Sequence, residues 1–337
     1  MILNVAKAQS SLAASAGNGA VGPGTAILLT ASIFAVPPAT GTPTGTIVVA
    51  EAGTQLGLFV VDATGHSQGV VRETVSGAHT LQLNYSGDAN FMPSSATVTV
   101  LVAGALAVVS AADGVSSVAP GSIVSLYGAS LSVSTLAATS IPLSTTQAGV
   151  QVTFIDSTGA SMLVPIYLVS PGQINAVVPQ VALGAASVQV TSHGLPQAIG
   201  TASIAAAAPA LFSANATGSG VAAATLLTID SSGAASSVPV VSCGTAPGSC
   251  VATPLDLSDP SKQYYLVLYG TGLGGASATS QLEGAPAPVL YSGPQGQYPG
   301  LDQINVQLPR GVSGLGSLDV AIAIGSQVSN HLSIFVK

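Results

Sequence analysis

The four histidines are the first residues to consider for chemistry, because a nucleophilic serine or cysteine needs a base beside it and an acid behind that base. They are His66, His79, His193 and His331, and each stands alone in a turn or strand context. The sequence spacing therefore brings no nucleophile, base and acid together. We predict no hydrolase and, more broadly, no enzyme.

Carboxylates offer two other kinds of site. Glycoside hydrolysis needs two acids across a cleft, and the glutamates are only Glu51, Glu73 and Glu283, in a chain without the tryptophan that carbohydrate clefts often use. A calcium loop needs alternating oxygen ligands and a glycine, which the segment 256–259 (Asp-Leu-Ser-Asp) lacks. We predict a solvated turn there, and no metal site, cofactor or catalytic residue.

A glycine-rich segment imitates a nucleotide site. Residues 270–275 (Gly-Thr-Gly-Leu-Gly-Gly) fit the pattern Gly-x-Gly-x-x-Gly directly after a predicted strand. This pattern binds a dinucleotide where a helix follows, with its amide groups facing the pyrophosphate. Here Gly284, Pro286 and Pro288 soon interrupt the chain. The segment therefore predicts a turn between strands.

Two asparagines occupy glycosylation patterns, at Asn84-Tyr85-Ser86 and Asn215-Ala216-Thr217. A chain rich in serine and threonine produces such matches by chance, and Asn84 falls in a predicted strand. Asn84 and Asn215 are thus kept as candidates beside an equal alternative, which is O-linked sugar on exposed serine or threonine.

The elements that position these groups are built from an almost uncharged chain. Of 337 residues, 5 are Lys or Arg and 12 are Asp or Glu, a charged fraction of 5% where soluble domains average about 25%. A net charge of −7 provides no basic footprint for nucleic acid. The apolar fraction of 48% is enough to build cores, which argues against disorder. The length favours two or three domains.

Neither a secretory signal nor a membrane span is predicted. The first seven residues lack a basic region followed by an apolar run, so we expect that a signal has been removed or that the chain was cut from something longer. The uncharged run over 89–112 contains Pro93 and an alternating stretch over 96–100. These features favour a strand and a linker over a helix in lipid.

Short runs of β-branched residues between clusters of Gly, Pro, Asn and Ser predict an all-β protein of antiparallel sandwiches. Strands are predicted over 25–33, 45–49, 81–85, 96–102, 122–127, 150–155, 187–191, 264–269, 304–308 and 318–324. In one of these strands the alternation places Leu81, Leu83 and Tyr85 on one face. No stretch has an apolar stripe at helical spacing.

An internal repeat divides the second part of the chain. Residues 126–131 (Leu-Tyr-Gly-Ala-Ser-Leu) match 268–273 (Leu-Tyr-Gly-Thr-Gly-Leu). Residues 173–179 (Gln-Ile-Asn-Ala-Val-Val-Pro) match 303–309 (Gln-Ile-Asn-Val-Gln-Leu-Pro). Because the two matches have different offsets, the units share a plan but carry insertions of different length.

The repeated motifs, together with 119–128 (Ala-Pro-Gly-Ser-Ile-Val-Ser-Leu-Tyr-Gly) and 169–175 (Val-Ser-Pro-Gly-Gln-Ile-Asn), resemble a C-terminal domain family of unknown function found in large secreted proteins of Acidobacteria. Upstream, 41–46 (Gly-Thr-Pro-Thr-Gly-Thr), 77–80 (Gly-Ala-His-Thr) and 85–91 (Tyr-Ser-Gly-Asp-Ala-Asn-Phe) resemble a bacterial immunoglobulin-like repeat. The resemblance implies tandem Ig-like sandwiches of a secreted or cell-surface protein. Neither family supplies a catalytic residue.

Four segments follow from these patterns. We predict a short extended N-terminal arm or linker strand over 1–16 and a bacterial Ig-like domain over 17–104. A sandwich of the first repeat unit is predicted over 105–207, and one of the second unit over 208–337.

In a secreted sandwich, Cys243 and Cys250 are expected to form a disulfide that closes a mobile loop. Two ligands alone do not make a zinc site, and their spacing is not the redox spacing Cys-x-x-Cys. Free thiols are the alternative.

The missing charge predicts how the surface behaves. Sheet proteins protect exposed strand edges with lysine or with inward-pointing charges, and three lysines cannot protect three sandwiches. A neutral surface loses little solvation when it associates. We therefore expect an extracellular structural protein whose copies self-assemble into a filament, fibre or surface layer. Its alternating residues Ile2, Leu3, Asn4 and Val5 are predicted to add a strand to a neighbouring domain.

The alternative is a cell-surface adhesin or spacer at the C-terminal end of a larger secreted protein. Its partners would be surface glycans or other cell-surface proteins, with no nucleic acid. Size-exclusion behaviour separates the two hypotheses, because a spacer elutes as a monomer and a polymer elutes in the void volume.

Overall fold

The computed structural model describes residues 6–17, 19–246 and 248–337. Its described residues form 31 strands and one turn of 3-10 helix at Arg310–Val312, with no α-helix among them. None of the described residues belongs to a helix long and apolar enough to cross a membrane. The contacts divide the chain into two compact units, Met1–Ala105 and Leu106–Lys337. The predicted all-β fold class of Ig-like sandwiches is confirmed.

The first unit is a sandwich of two antiparallel sheets. Its strands are β1 (Ser10–Ala16), β2 (Ala26–Ala35), β3 (Gly45–Glu51), β4 (Thr54–Val61), β5 (His66–Arg72), β6 (Gly77–Tyr85) and β7 (Ser94–Val102). One sheet has the order β1-β2-β5 and the other the order β4-β3-β6-β7. The apolar residues that alternate along these strands meet in one core.

Strand β6 illustrates how the alternation builds that core. Leu81, Leu83 and Tyr85 are each at most 1% exposed, on one face as predicted, while Gln82 faces solvent. Burying a leucine contributes about 1.5–3 kcal/mol relative to leaving it exposed. The buried Tyr85 hydroxyl finds its partner by donating to the Thr44 carbonyl, which removes the cost of an unpaired polar group.

Part of the predicted arm over 1–16 belongs to the first sandwich. Strand β1 pairs antiparallel with β2 along its whole length, and Ala8 already forms a bridge with Phe91. Leu12, which is 8% exposed, is buried in the core of the first unit, so residues 10–16 fold as part of the sandwich. The four residues predicted to donate a strand, Ile2, Leu3, Asn4 and Val5, lie outside the described residues.

The second unit begins with a single sheet that curls around a core. Its strands are β8 (Gly104–Ser110), β9 (Ser117–Val118), β10 (Ile123–Tyr127), β11 (Leu136–Ala137), β12 (Val150–Ile155), β13 (Ser161–Leu163), β14 (Ile166–Val169), β15 (Gln173–Val177), β16 (Gly184–Ser192) and β17 (Leu195–Ile204). The order is β11-β14-β15-β10-β8-β17-β16-β12-β13, with β9 added to β17. The two halves of this sheet form opposite layers, because Leu126 of β10 and Phe154 of β12 belong to one buried cluster.

The rest of the second unit is a sandwich of two sheets with an additional hairpin. Its strands are β18 (Ala210–Leu211), β19 (Ala224–Ile229), β20 (Ala235–Pro239), β21 (Val241–Cys243), β22 (Cys250–Ala252), β23 (Pro254–Leu255), β24 (Gln263–Thr271), β25 (Thr279–Leu282), β26 (Ala285–Ala287), β27 (Val289–Pro294), β28 (Asp302–Gln307), β29 (Gly316–Ile324), β30 (Gln327–Val328) and β31 (Leu332–Val336). The orders are β20-β19-β24-β28-β27 and β23-β31-β29-β25-β26, and β21 pairs with β22.

The sequence repeat corresponds to a repeated strand pairing. Leu126 of β10 lies opposite Ile174 of β15, and Leu268 of β24 lies opposite Ile304 of β28. The matching motifs are therefore paired strands in each of the two repeat units, and the inserted residues fall between the two motifs of a repeat unit. The predicted boundaries after 104 and 207 fall between the three buried clusters, which span 12–102, 106–204 and 211–336.

Candidate functional site

His66 has a serine as its closest side-chain partner. Its Nδ1 lies 2.8 Å from Ser32 Oγ, because the two residues are direct cross-strand partners on β5 and β2. The nearby Asp62 binds the backbone amides of Thr64 and His66 rather than the imidazole ring. Among the described residues this serine–histidine pair lacks an acid behind the histidine, and it lies on the face of a regular sheet.

The same strand also carries a hydrolase-like motif, which is not among the predicted site residues. Residues 65–69 (Gly-His-Ser-Gln-Gly) fit Gly-x-Ser-x-Gly, which marks a nucleophile where a strand turns sharply into a helix. Here Ser67 lies inside β5, is 7% exposed and donates to the Val60 carbonyl. Its hydroxyl is therefore bonded within a regular strand and does not lie at a turn from a strand into a helix.

Two of the three glutamates meet His79, although the sequence separates all three residues. Glu51 ends β3, Glu73 follows β5 and His79 lies in β6, so the sheet topology brings them together. His79 Nδ1 lies 3.0 Å from Glu51 Oε1 and 3.9 Å from Glu73 Oε2. Its Nε2 lies 2.8 Å from the carbonyl oxygen of Val75.

These contacts determine the charge of His79. A carbonyl accepts but cannot donate, so Nε2 carries a proton, and Nδ1 can face two carboxylates only if it is protonated as well. The hydrogen bond that His79 Nδ1 donates to Glu51 accordingly raises the pKa of His79, against the smaller opposing effect of burial. The ligand atoms of the three side chains lie within 4.8 Å of one another. A divalent cation could take the place of the Nδ1 proton, but the imidazolium already places a positive charge between these side chains.

Most aspartates stabilise turns. Three turns between consecutive strands share the pattern Asp-x-Thr/Ser-Gly, at 62–65, 156–159 and 230–233. In each, one aspartate oxygen accepts bonds from the amide and hydroxyl two residues on and from the amide four residues on. The Thr158 hydroxyl and then the Ala182 amide lower the pKa of Asp156 to about 2. These carboxylates are therefore structural.

The acidic segment 256–259 uses its carboxylates in the same way. Asp256 and Asp259 each accept bonds from a serine two residues on. They also pair with Lys337 at 3.6 Å and with Lys262 at 3.2 Å. Both carboxylates are thus engaged in turns, which agrees with the turn predicted for this segment.

The five basic side chains are all held by the protein. Besides the two lysines paired with aspartate, Lys7 donates to the Asp88 carbonyl and Arg72 donates to the Gly24 carbonyl. Arg310 donates to the carbonyls of residues 259, 260 and 262. The few cations therefore hold loops in place.

The glycine-rich segment 270–275 is a close crossing of two chain segments. Strand β24 ends at Thr271, and the next elements are the strands β25 and β26 rather than a helix. A Cβ atom at Gly272 would lie 2.1 Å from the Ala208 carbonyl oxygen, and φ at this glycine is +84°. Gly272 is needed because its backbone touches the backbone at Ala208. The absence of a helix directly after β24 agrees with the predicted turn between strands.

The predicted disulfide and Asn215 lie in the second unit, and Asn84 lies in the first unit. Cys243 and Cys250 are joined by a disulfide and lie opposite each other in the β21-β22 hairpin. Asn84 is half-buried in β6, opposite Ser95 of β7. Asn215 accepts bonds from the amide and hydroxyl of Thr217, within its own glycosylation pattern. Glycosylation at either asparagine remains a prediction.

A cleft of about 470 Å³ opens between the two sandwiches of the second unit. Four aromatic side chains, namely Tyr127, Tyr167, Tyr298 and Phe212, contribute to its walls. Tyr127 is 45% exposed and Tyr298 is 48% exposed. Tyr167 and Tyr298 also line an adjoining pocket of about 400 Å³, beside residues 138–143. The two spaces form one groove, which we call the tyrosine cleft.

The polar lining of the tyrosine cleft comes from the repeated Gln-Ile-Asn motif. Gln173 Nε2 donates to Asn175 Oδ1 at 2.8 Å, and Ser125 Oγ donates to the same oxygen at 3.1 Å. Asn175 Nδ2 and Gln173 Oε1 have no hydrogen bond to the described part of the chain. No charged residue belongs to the described lining of either space.

Hydrogen bonds across the joint hold the walls of the cleft in place. Thr271 is fully buried, and its hydroxyl accepts the Ile123 amide at 2.8 Å and donates to the Gly300 carbonyl at 2.7 Å. The Tyr167 hydroxyl donates to the Pro299 carbonyl at 2.7 Å. Burial raises the pKa of Tyr167 to about 12, so its hydroxyl remains a donor at physiological pH.

Comparison with known families identifies the first unit. Residues 14–103 match the Bacterial Ig-like domain (group 3), so the first unit is a bacterial Ig-like domain, as its motifs predicted. No curated protein matches the chain. The comparisons do not show the C-terminal family of secreted Acidobacteria proteins, so that resemblance remains a prediction.

Solved structures of tandem Ig domains resemble the chain only distantly. Domains A168-A170 from titin are 12% identical, over 79% of this chain and 94% of that chain, with a TM-score of 0.24. Titin tandem domains A164-A165 are 13% identical, over 58% and 95%, with a TM-score of 0.21. Invasin, a bacterial integrin-binding protein, is 17% identical, over 97% and 60%, with a TM-score of 0.20. Scores this low carry no argument about function.

Proposed function

We propose that the chain is an extracellular structural protein of tandem Ig-like domains whose copies associate with one another, as a filament, fibre or surface layer. The bacterial Ig-like domain at 14–103 supports a secreted or cell-surface setting. The disulfide between Cys243 and Cys250 supports it too, because disulfides persist in oxidising compartments.

The observation that carries self-association is a group of exposed apolar side chains on the outer face of the first unit. Leu28 of β2 and Val70 of β5 lie opposite each other and are 41% and 49% exposed. Phe34, on the same face of β2, is 54% exposed. The polar cross-strand pairs Thr30–Gln68 and Ser32–His66 lie between Leu28 and Phe34. A copy that covered these side chains would gain about 25 cal/mol for each Å² of apolar surface removed from water. Few charges would lose solvation in the process.

Sedimentation velocity of the full chain tests this proposal. We expect the sedimentation coefficient to rise with concentration up to about 100 µM, which is ample for contacts with a Kd of about 10 µM. The double variant Leu28→Asp with Val70→Asp should sediment as a monomer. Leu195→Asp is the matched control, since Leu195 is 64% exposed in the second unit. A wild-type chain that remains monomeric at every concentration contradicts self-association.

The finer form of the proposal is strand addition by Ile2, Leu3, Asn4 and Val5. Each sheet of the first unit ends in edge strands, β1 and β5 in one and β4 and β7 in the other, and an edge offers backbone groups to an added strand. Removing residues 1–5 is the appropriate deletion, because removing 1–16 would destroy β1. Polymers that look the same by electron microscopy after this deletion would exclude a role for the arm.

A second candidate is an adhesin or spacer within a larger secreted protein, and the joint in the second unit favours it. The bonds Ile123–Thr271 and Tyr167–Pro299 across that joint would limit bending between the two sandwiches, as a stalk requires. The resemblance of 105–337 to a C-terminal domain family of secreted proteins belongs to the same proposal. A monomeric wild-type chain with an extended small-angle scattering profile supports the spacer, whereas concentration-dependent polymers support the structural protein.

A further inference from the structure

We propose that the tyrosine cleft of the second unit binds a neutral oligosaccharide. This site is separate from the apolar face of the first unit, so it stands or falls independently of self-association. Four properties of the cleft suit such a ligand: its aromatic side chains, its free hydrogen-bonding groups, its uncharged described lining and its fixed walls.

Aromatic side chains are concentrated in this cleft. The chain has 8 tyrosines, 6 phenylalanines and no tryptophan, yet Tyr127, Tyr167, Tyr298 and Phe212 all line this one space. If these rings served only to pack the two sandwiches against each other, they would be buried, but Tyr127 and Tyr298 are about half exposed. Such rings suit a ligand that is apolar on one side and polar on the other. A sugar ring has this character, with C–H groups on its faces and hydroxyls around its rim.

The polar groups of the cleft provide both donors and acceptors. Asn175 Nδ2 can donate two bonds and Gln173 Oε1 can accept two, and neither is used by the described residues. Their partner atoms, Nε2 and Oδ1, bond to each other at 2.8 Å and so fix both amides in place. Adjacent sugar hydroxyls both donate and accept, so a fixed pair of amides is a suitable partner for them.

The chemistry of the walls excludes other ligand classes. No charged side chain is found in the described lining, so phosphate, sulfate and acidic sugars would be desolvated without a counter-charge. The cleft lies on the face of β10, β14 and β15, each of which is paired on both sides. An extended peptide that adds a strand needs an unpaired edge, and this face offers none. A neutral ligand recognised through hydroxyls fits both facts.

The cleft is also preformed and of suitable size. Ligand sites commonly occupy about 300–1,000 Å³, and the main space here is about 470 Å³. Thr271 and Tyr167 bond across the joint, so binding does not have to order the two walls. Preorganisation of this kind lowers the entropic cost of binding.

The internal repeat supplies a matched control. Gln303 and Asn305 of β28 occupy the positions of Gln173 and Asn175, and Gln303 Nε2 donates to Asn305 Oδ1 at 2.9 Å. This second amide pair is absent from the lining of the tyrosine cleft. If the amide pair only stabilised its strand, then Asn175→Ala and Asn305→Ala would behave alike in every assay.

The test is binding of neutral oligosaccharides to the full chain, measured by saturation-transfer NMR and isothermal titration calorimetry. The probes are maltotetraose, cellotetraose, xylotetraose, mannotriose and chitotetraose at up to about 10 mM, with a Kd of about 1 mM as the weakest value of interest. Sialyllactose tests the acidic class, and a decaproline peptide tests extended peptides. We expect at least one neutral probe to bind and the other two probes not to bind.

The variants then locate the site. Tyr127→Ala and Tyr298→Ala should each weaken binding about tenfold or more, and Asn175→Ala about three- to tenfold, as expected for the loss of one or two hydrogen bonds. Asn305→Ala should bind like the wild type. Thermal melting of each variant shows whether it is folded, and Tyr127→Phe, which keeps the ring, separates ring contact from hydroxyl contact.

Three outcomes would overturn the proposal. They are no binding by any neutral probe at the highest concentration, binding that Tyr127→Ala and Asn175→Ala leave unchanged, and binding of decaproline in preference to every sugar.

Chains produced with and without attached sugar distinguish a free polysaccharide from a glycan carried by a neighbouring copy. If the unglycosylated chain associates as strongly as the glycosylated chain, the glycan does not come from a copy.

Discussion

The proton on His79 Nδ1 lies between two carboxylates, those of Glu51 and Glu73, while Nε2 donates to the Val75 carbonyl. Glu73 Oε1 is buried without a hydrogen-bond partner in the described part of the chain, and Glu73 Oε2 lies 3.9 Å from His79 Nδ1. Loss of the Nδ1 proton would leave carboxylates close together beside a lone pair. The site therefore couples a local charge to the stability of the first unit.

We predict that the first unit loses stability as the pH rises above about 6.5, the ordinary pKa of histidine. The folded protein raises the pKa of His79 from its ordinary value of 6.5, so the stabilisation is complete below about pH 6.5 and is lost as the pH rises through the higher folded value. Urea unfolding at a series of pH values between about 6 and 9, with the His79 ring signals followed by NMR, measures both quantities.

His79→Gln tests the same group by mutation. It should destabilise the first unit by about 1–3 kcal/mol at pH 6, because two carboxylates lose their shared partner, and the pH dependence should flatten. His331→Gln is the control, since His331 is an exposed histidine 2.7 Å from one aspartate, Asp319. Equal effects of the two variants would contradict the cluster.

The Thr271 hydroxyl connects the two sandwiches of the second unit by accepting the Ile123 amide. It satisfies the Ile123 amide and the Gly300 carbonyl from a fully buried position. The sequence repeat alone does not reveal this role, because the residue at the matching position, Ala129, has no hydroxyl.

Thr271→Val is predicted to loosen the joint of the second unit. It preserves the shape of the side chain but leaves one donor and one acceptor without a partner, at a cost of about 1–3 kcal/mol. Limited proteolysis of the connection at 205–210, together with urea unfolding, measures the effect. Thr271→Ser keeps the hydroxyl and should resist cleavage almost as the wild type does. Cleavage of the valine variant at the wild-type rate would show that the joint does not depend on this hydroxyl.

The regular elements were within reach of sequence reasoning, and the cleft was not. Alternation along strands such as 150–155 is a local signal, because one buried face forces a period of two, and all ten predicted strands are present. The weakly patterned β1, made of serine and alanine around Leu12, was assigned to an arm. Tyr167 and Tyr298 lie in insertions outside the repeated motifs, and only the docking of two sandwiches brings them together. His79 and its glutamates likewise meet through sheet topology, which spacing does not encode.

For the whole molecule, scarce charge predicts unusual tolerance of acid. Hydrogen bonds from Thr44, Asn90 and Phe91 outweigh burial and hold the pKa of Asp88 at about 2, and the pKa values of Asp156 and Asp259 are also about 2. Because these values lie below the ordinary 3.8, the stabilisation is complete above about pH 4 and is lost as the pH falls through about 2. Asp302, whose pKa burial raises, acts in the opposite direction.

We therefore expect the urea midpoint of the full chain to decline mainly below pH 4, measured by circular dichroism between about pH 7 and 1.5. With 5 basic residues and 4 histidines, the acid form carries little self-repulsion. Asp156→Asn keeps an acceptor in the turn but cannot titrate, so its decline should be shallower than that of the wild type. A steep loss of structure near pH 5 would contradict this prediction.

The anchoring of the five basic side chains has a consequence for the lifetime of the protein. Proteases of the trypsin type must draw a lysine or arginine into a pocket together with several residues of extended backbone. Arg310 is held by three carbonyls and Arg72 by the Gly24 carbonyl, so cleavage at these residues requires the loop to open first. With 5 such residues in 337, and each one fastened, resistance to this class of enzyme follows from composition and loop contacts together, and it requires no exceptional global stability.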